Sequence, residues 1–218
     1  MKRVVIIGAG GHAREVADIL RHQIPGQSEF RLLGSVVEDR EFLNQVSDGI
    51  SVLGDWTWFE QANRDELDVV CAIGSPTVRK RLVERAISIG LSFTNVISPL
   101  AYVSPDAKIG KGTMIFSSAV VSTNSTVGDH SIINFGSTIS HDARVGDFVT
   151  ISPGVHVAGN VSLSEGCYLG IGSSVIERTS IGAWTIVGAG AVVTRDMPDN
   201  VTVVGVPAEV IKRDKESP

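Results

Sequence analysis

The chain is poor in the residues that several kinds of protein require. It has two cysteines in 218 residues. Cys71 and Cys167 lie in apolar surroundings, which suits two buried thiols and argues against a disulfide framework or a cysteine-based metal site; a reducing compartment fits. Basic residues are outnumbered, 19 Lys and Arg against 24 Asp and Glu, and the only dense basic run is Arg79-Lys80-Arg81. Contacts with a nucleic-acid backbone need the opposite balance. No apolar stretch approaches the roughly 20 residues that span a bilayer, so no membrane partner is expected and the chain is read as soluble and cytoplasmic. Met1-Lys2-Arg3 ahead of Val4 to Ile7 has the look of a secretory signal, but the run breaks at Gly8 and Arg14-Glu15 follow, so it reads as a first strand. Aromatic residues are scarce at 6%, whereas hydrophobic residues make up 43% and glycines number 23. Such a chain can bury a core, and its glycine bias favours a turn-rich, backbone-dominated β architecture.

What is present is a repeat. Stepping six residues at a time from Val103 lands on Val103, Ile109, Ile115, Val121, Val127, Ile133, Ile139, Val145, Ile151, Val157, Leu163, Leu169, Val175, Ile181, Val187 and Val193. Every one is aliphatic, which chance does not produce when such residues fill roughly a quarter to a third of positions. Glycine follows the aliphatic residue at Gly110, Gly128, Gly146, Gly170, Gly182 and Gly188, and the fifth position of the hexad is small or β-branched, as at Ala107, Thr113, Ser131, Ser137, Ala143 and Ala191. A period of six fits no helix face, but it fits a short strand and a tight corner with one side chain per hexad pointing inward.

Residues 1–96 follow a different grammar. Arg3 to Ile7 reads as a strand, Gly8 to Ala13 as a glycine turn, and Glu15 to His22 as a helix with Val16, Ile19 and Leu20 on one face. Strands are expected at Phe30 to Val37, Asp68 to Ile73 and Ser92 to Ile97, and a helix at Thr77 to Ile89. Alternation of this kind predicts an α/β domain, a small Rossmann-like parallel sheet with crossover helices. Gly8-x-Gly10-x-x-Ala13 satisfies the looser dinucleotide fingerprint, in which glycines let a phosphate approach N–H groups at a helix start. Glu38 comes twenty-eight residues after Gly10, further than the roughly 20 expected of a ribose-binding acid, and about ninety residues are too few for a full two-lobed dinucleotide domain. Half of such a domain, suited to a nucleotide sugar, fits. A second glycine turn, Ile73-Gly74-Ser75-Pro76, also follows a strand and would face the same crevice.

Ser140-His141-Asp142 carries the chemistry candidates: a histidine able to act as general base beside a carboxylate that can fix its tautomer. If three hexads make one eighteen-residue coil, position 141 lies beneath Gly159, whose backbone N–H could serve an oxyanion. His130 and His156 are read as structural or solvated.

The hexads closely resemble the hexapeptide-repeat proteins, whose chains wind as an all-β left-handed parallel β-helix, and about five coils are expected, closed by a C-terminal cap between Pro198 and Arg213. Over nearly its full length the chain resembles, more narrowly, the sugar acetyltransferases of the sialic-acid O-acyltransferase and bacillosamine-type N-acetyltransferase group. The matching residues are Gly8 to His12, Ile73-Gly74-Ser75, Ser140-His141-Asp142 with Gly146-Asp147, Ser152-Pro153-Gly154, Ala158-Gly159-Asn160-Val161 and Val204-Gly205-Val206-Pro207-Ala208. The resemblance implies an N-terminal nucleotide-sugar-binding domain, residues 1–96, and a β-helix acetyltransferase domain, residues 97–218. It implies acetyl-CoA as co-substrate, no metal, a homotrimer, and transfer to the amine of a nucleotide-linked 4-amino-4,6-dideoxyhexose-type sugar. His141 would be the base and Asp142 its orienting partner. Gly159 would bind the thioester oxygen, Gly170, Ile171 and Ala189 would line the pantetheine groove between two subunits, and Pro207 would lie near its nucleotide end. Asn134 would contact the sugar, and Gly10, Gly11, His12, Glu38, Asp39, Gly74 and Ser75 the nucleotide. Many relatives carry a second histidine nine residues after the first; here that position is Thr150. Other readings are O-acetylation of a sialic acid, a γ-type carbonic anhydrase with three zinc-binding histidines, and a catalytically silent sugar-nucleotide sensor.

Overall fold

The computed structural model describes residues 2–21, 30–38 and 50–213. The chain forms two compact units, Met1–Val96 and Ile97–Pro218.

In the first unit the apolar run at the start becomes β1 (Lys2–Ile7), and its Val4 to Ile7 segment is fully buried, as expected of a central parallel strand covered on both faces. α1 (Gly11–Arg21) begins earlier than the pattern suggested: the Arg14 N–H already bonds the Gly10 carbonyl at 3.3 Å, so Gly11 to Arg14 wind into the first turn. The glycine loop shrinks to Gly8–Gly10. β2 (Phe30–Val36), β3 (Val52–Gly54), α2 (Trp58–Gln61), β4 (Leu67–Cys71), α3 (Pro76–Ser88) and β5 (Ser92–Phe93) follow. Among the described residues the strands order as β3-β2-β1-β4-β5, all parallel. Strand order reverses between β1 and β4, which opens a crevice at their C-terminal ends. The single closing strand expected over Ser92 to Ile97 is two. Ser92–Phe93 pairs with β4, whereas Val96–Ile97 joins the repeat sheet, with Thr94-Asn95 as the break between them. β3 and α2 escaped the sequence reading because three and four residues are too short to show a period; aromatic contact of Phe59 with Trp56 and Trp58, centroids 5.6 and 5.5 Å apart, holds that segment.

The second unit is a left-handed parallel β-helix. Two-residue strands stack into three faces. The first runs from Val96–Ile97 through Ile132–Ile133 to Ile186–Val187, the second from Tyr102–Val103 through Thr138–Ile139 to Val192–Val193, and the third from Lys108–Ile109 through Arg144–Val145 to Ser180–Ile181. Partners are eighteen residues apart, as Val120 is from Tyr102 and Thr138. The hexad aliphatics point inward, and from Ile115 to Val193 all are buried; Val103 and Ile109, on the first coil, are half-covered. Small fifth-position residues fit the tight corners, and several of their hydroxyls reach carbonyls one coil on: Thr113 donates to Gly128 at 2.8 Å, Ser131 to Gly146 at 2.9 Å and Ser137 to Ser152 at 2.9 Å. These bonds satisfy polar groups that the corner buries. The final coil is closed by Val201–Val204, parallel to Ile186–Val187, and by Glu209–Arg213, which returns antiparallel.

Both cysteines are buried, and burial pushes each thiol up to about 12. An aromatic disulfide reagent at pH 8 should therefore label neither in the native protein and both in denaturant. Gly166 and Gly172 test the corners: both have φ of +67°, but a Cβ on Gly166 would lie 2.3 Å from the Trp184 ring, whereas one on Gly172 meets open space. Urea melts should show Gly172→Ala costing about 1 kcal/mol for its left-handed backbone and Gly166→Ala about 3 kcal/mol, since overpacking adds to the strain.

Candidate active site

Call the corner between the first and second faces I, between the second and third II, and between the third and first III. His141 and Asp142 occupy corner II. Asp142 sits at φ +60°, a left-handed conformation that aspartate tolerates and that Asn124, Asn160 and Arg178 share on neighbouring coils. The His141 Nδ1–H donates to the Asp142 carboxylate at 2.8 Å. This leaves Nε2 with its lone pair outward, the tautomer a general base needs. Asp142 is held below the usual carboxylate range by the bond to His141 first and one from Asn124 second, so it stays an ionised acceptor. Both side chains are about half-exposed, 59% and 41%.

Gly159 lies on the next coil over the imidazole. A Cβ there would stand 2.6 Å from Cε1 and 2.7 Å from Nε2 of His141, so only glycine fits. Among the described residues nothing accepts its N–H. A bare donor beside a base is suited to an anionic oxygen. The Asp142 side of the corner opens on a polar groove of about 580 Å³ lined by Lys108, Asn124, Thr126, Arg144, Asn160 and Ser162.

Asn134, Gly170, Ile171 and Ala189 lie on corner I, with Pro207 in the closing segment after Val204. Ile171 is 61% exposed, and Gly136, Gly154, Gly172 and Gly190 line this edge with open space above each Cα. The matching positions of corner II carry Asp142, Asn160, Arg178 and Asp196, so at these coils corner I leaves its backbone bare where corner II does not. In one chain the second face separates this row from His141. Thr150 is buried on the first face and offers no base. His130 is buried on corner III, stacked on Phe148 at 5.2 Å. His156 is exposed on the second face and bonds Thr138 at 3.0 Å. The three histidines of the zinc reading thus do not converge, and among the described residues no three His, Cys, Asp or Glu could hold a metal.

In the first unit the two glycine loops adjoin: a Cβ on Gly8, whose φ is +116°, would lie 2.9 Å from Ile73 and 3.2 Å from the Ala72 carbonyl. Gly10 and Gly74 face open space. Ser75 caps α3, its Oγ accepting from Val78 at 3.5 Å, with Pro76 at the first helical position. Arg79, missed in the sequence reading because it sits in a basic run, is fully buried and donates to the Ile73 and Gly74 carbonyls at 2.7 and 3.1 Å. Burial lowers its guanidinium to about 10. His12 lies 3.1 Å from Glu15, its pKa lowered chiefly by burial. Glu38 forms a two-pronged pair with Arg81 at 2.7 and 2.6 Å, which holds its carboxyl below the usual range, so the structure commits this carboxylate to α3. Asp39 and His22 lie outside the described residues.

A β-helix of hexads with a histidine–carboxylate pair on one corner, preceded in the chain by an α/β unit, defines a hexapeptide transferase with an added N-terminal domain. Residues 3–86 match the PglD N-terminal domain, and residues 106–141 match the bacterial transferase hexapeptide (six repeats). The acetyltransferase domain of PglB from Neisseria gonorrhoeae FA1090 is 32% identical, with a TM-score of 0.88 over 97% of this chain and 100% of that one. A mutant of the GDP-perosamine N-acetyltransferase of Caulobacter crescentus, solved with CoA and GDP-perosamine, is 36% identical, with a TM-score of 0.89 over 97% of this chain and 98% of that one. UDP-N-acetylbacillosamine N-acetyltransferase of Bacillus subtilis (strain 168) is 39% identical over 120 residues, 54% of this chain, and the match spans about half of that enzyme, 52%. The chain belongs to the hexapeptide-repeat sugar acetyltransferases of the bacillosamine type.

Gly159→Ala should push the imidazole aside and lower turnover about 100-fold, the cost of a misplacement of roughly 1 Å. Circular dichroism should show an intact fold, and a crystal structure a rotated His141.

Proposed function

We propose that the protein transfers the acetyl group of acetyl-CoA to the amine of a nucleotide-linked 4-amino-4,6-dideoxyhexose-type sugar, with His141 as general base. The observation that carries this reading is the stack of Gly159 on the His141–Asp142 pair, a base of defined tautomer beside an unused N–H donor. The nature of the relatives supports it: one was solved with CoA and GDP-perosamine, and the PglB acetyltransferase domain with acetyl coenzyme A.

The amine nitrogen attacks the thioester carbon. Nε2 of His141 takes the proton that nitrogen loses, while the Gly159 N–H donates to the carbonyl oxygen as it gains negative charge. When the carbon–sulfur bond breaks, the protonated imidazole returns a proton to the departing thiolate. Every bond made is to substrate, so no acyl-enzyme arises. Much of the rate gain comes from holding two substrates in line.

The bare edge of corner I is suited to the pantetheine arm, with Gly170, Ile171, Ala189 and Pro207 along it and Asn134 toward the sugar. Because this row and His141 occupy different corners, a second copy must supply one of them, and a closed ring of three does so at every interface. The crevice between β1 and β4 would take the nucleotide on Gly10, Gly11, His12, Gly74 and Ser75. Glu38 can join only by leaving Arg81. Among the described residues no helix is long and apolar enough to cross a membrane; a reaction that draws on acetyl-CoA and sugar nucleotides is suited to the cytoplasm.

The test is thiol release from acetyl-CoA against UDP-, GDP- and dTDP-linked 4-amino sugars and free sialic acid, with His141→Ala in parallel. Turnover on one amino sugar, reduced at least about 1000-fold in the variant, is expected. Turnover on sialic acid alone would make the enzyme an O-acetyltransferase, and none on any acceptor would favour a sensor.

A further inference from the structure

Corner II carries a column in which acids and amides alternate: Asp106, Asn124, Asp142 and Asn160 occupy the same position on four successive coils. Asn124 is exposed, holds φ +55°, and lies one coil before Asp142. Its Nδ2–H donates to Asp142 Oδ1 through a short bond, while Oδ2 of the same carboxylate accepts from His141 Nδ1 at 2.8 Å. The coil of Asn124 also holds the backbone of that residue, since the Asp142 N–H donates to the Thr123 carbonyl at 3.2 Å. From the other side the Asn160 N–H donates to the His141 carbonyl at 3.1 Å.

From this geometry we infer that Asn124 is a positioning residue for the reaction: its amide fixes the rotation of the Asp142 carboxylate and, through it, the direction of the His141 lone pair. The inference rests on the reading of His141 as base. A carboxylate beside a half-exposed histidine has a free χ2 torsion, and one anchored oxygen leaves the other a single place to be. Only an amide suits the position. Strands of neighbouring coils stack about 4.8 Å apart, so aspartate at 124 would put three carboxylates in line and drive Asp142 away from its ionised state. Alanine would lose the donor and strain the left-handed backbone as well, whereas glycine removes the donor and keeps that backbone at ease.

The experiment measures kcat, both KM values and thermal melting for Asn124→Gly, Asn124→Asp, His141→Ala and Asp142→Asn, and for Asn124→Gly in the Asp142→Asn background. Expected is a fall in kcat of about tenfold for Asn124→Gly, the loss of one charge-assisted hydrogen bond expressed as rate, with both KM values and the melting temperature unchanged. Asn124→Asp should fall further. In the Asp142→Asn background Asn124→Gly should cost nothing more, because its effect passes through the carboxylate. Wild-type kcat in Asn124→Gly, or an equal loss in both backgrounds, overturns the inference while His141→Ala, if inactive, leaves the base assignment standing. An active His141→Ala overturns both.

Discussion

Hydrogen bonding between coils in a register of eighteen residues is the interaction on which the rest of the β-helix depends. It sets strands one above another about 4.8 Å apart, so that each residue has a neighbour fixed in sequence eighteen positions away. The same register that stacks Ile115 under Ile133 and Ile151 to make a core puts Gly159 over His141 and Asn124 beside Asp142. Core and candidate site are therefore one construction. A shift of the register would lose both together, and the corner hydroxyls of Thr113, Ser131 and Ser137, which bond to the next coil, resist such a shift.

This explains how much could be read from the chain. The hexads announce the β-helix because every turn must supply an aliphatic residue inward, and the step of eighteen then places His141 beneath Gly159 before any coordinate is known. In the first unit Val4 to Ile7 and Val69 to Cys71 are legible because central parallel strands carry near-continuous apolar runs. Val52–Gly54 and Trp58–Gln61 are too short to carry a period. Arg79 was hidden for another reason: charge in a basic run suggests solvent, and only the fold shows a fully buried guanidinium that grips the loop of Ile73 and Gly74. Asn124 was within reach of the sequence, since eighteen subtracted from 142 gives it, but an exposed asparagine on a turn is ordinarily no more than a turn-former.

The three corners share a backbone and differ in what they carry at the left-handed position. Corner III packs the rings of His130, Phe148 and Trp184 there, the first two stacked and Gly112 and Gly166 making room for His130 and Trp184, whereas corner II carries polar side chains, of which Asn124 and Asp142 bond along the column. Corner I uses glycine on four coils and leaves the space above it open. One repeat thus yields a packed edge, a hydrogen-bonded edge and a bare edge from the choice of a single residue per coil. Packing, chemistry and close approach are assigned to separate sides of the same prism.

The separation of the glycine edge from the histidine corner has a consequence for heredity. In the proposed trimer each working site draws on two copies, so a chain damaged only at its histidine and a chain damaged only at its glycine edge are each inactive alone. Mixed in one ring, they assemble some interfaces from the sound half of each. Two defective alleles of this kind would complement one another in a single cell, while two alleles damaged at the same corner would not.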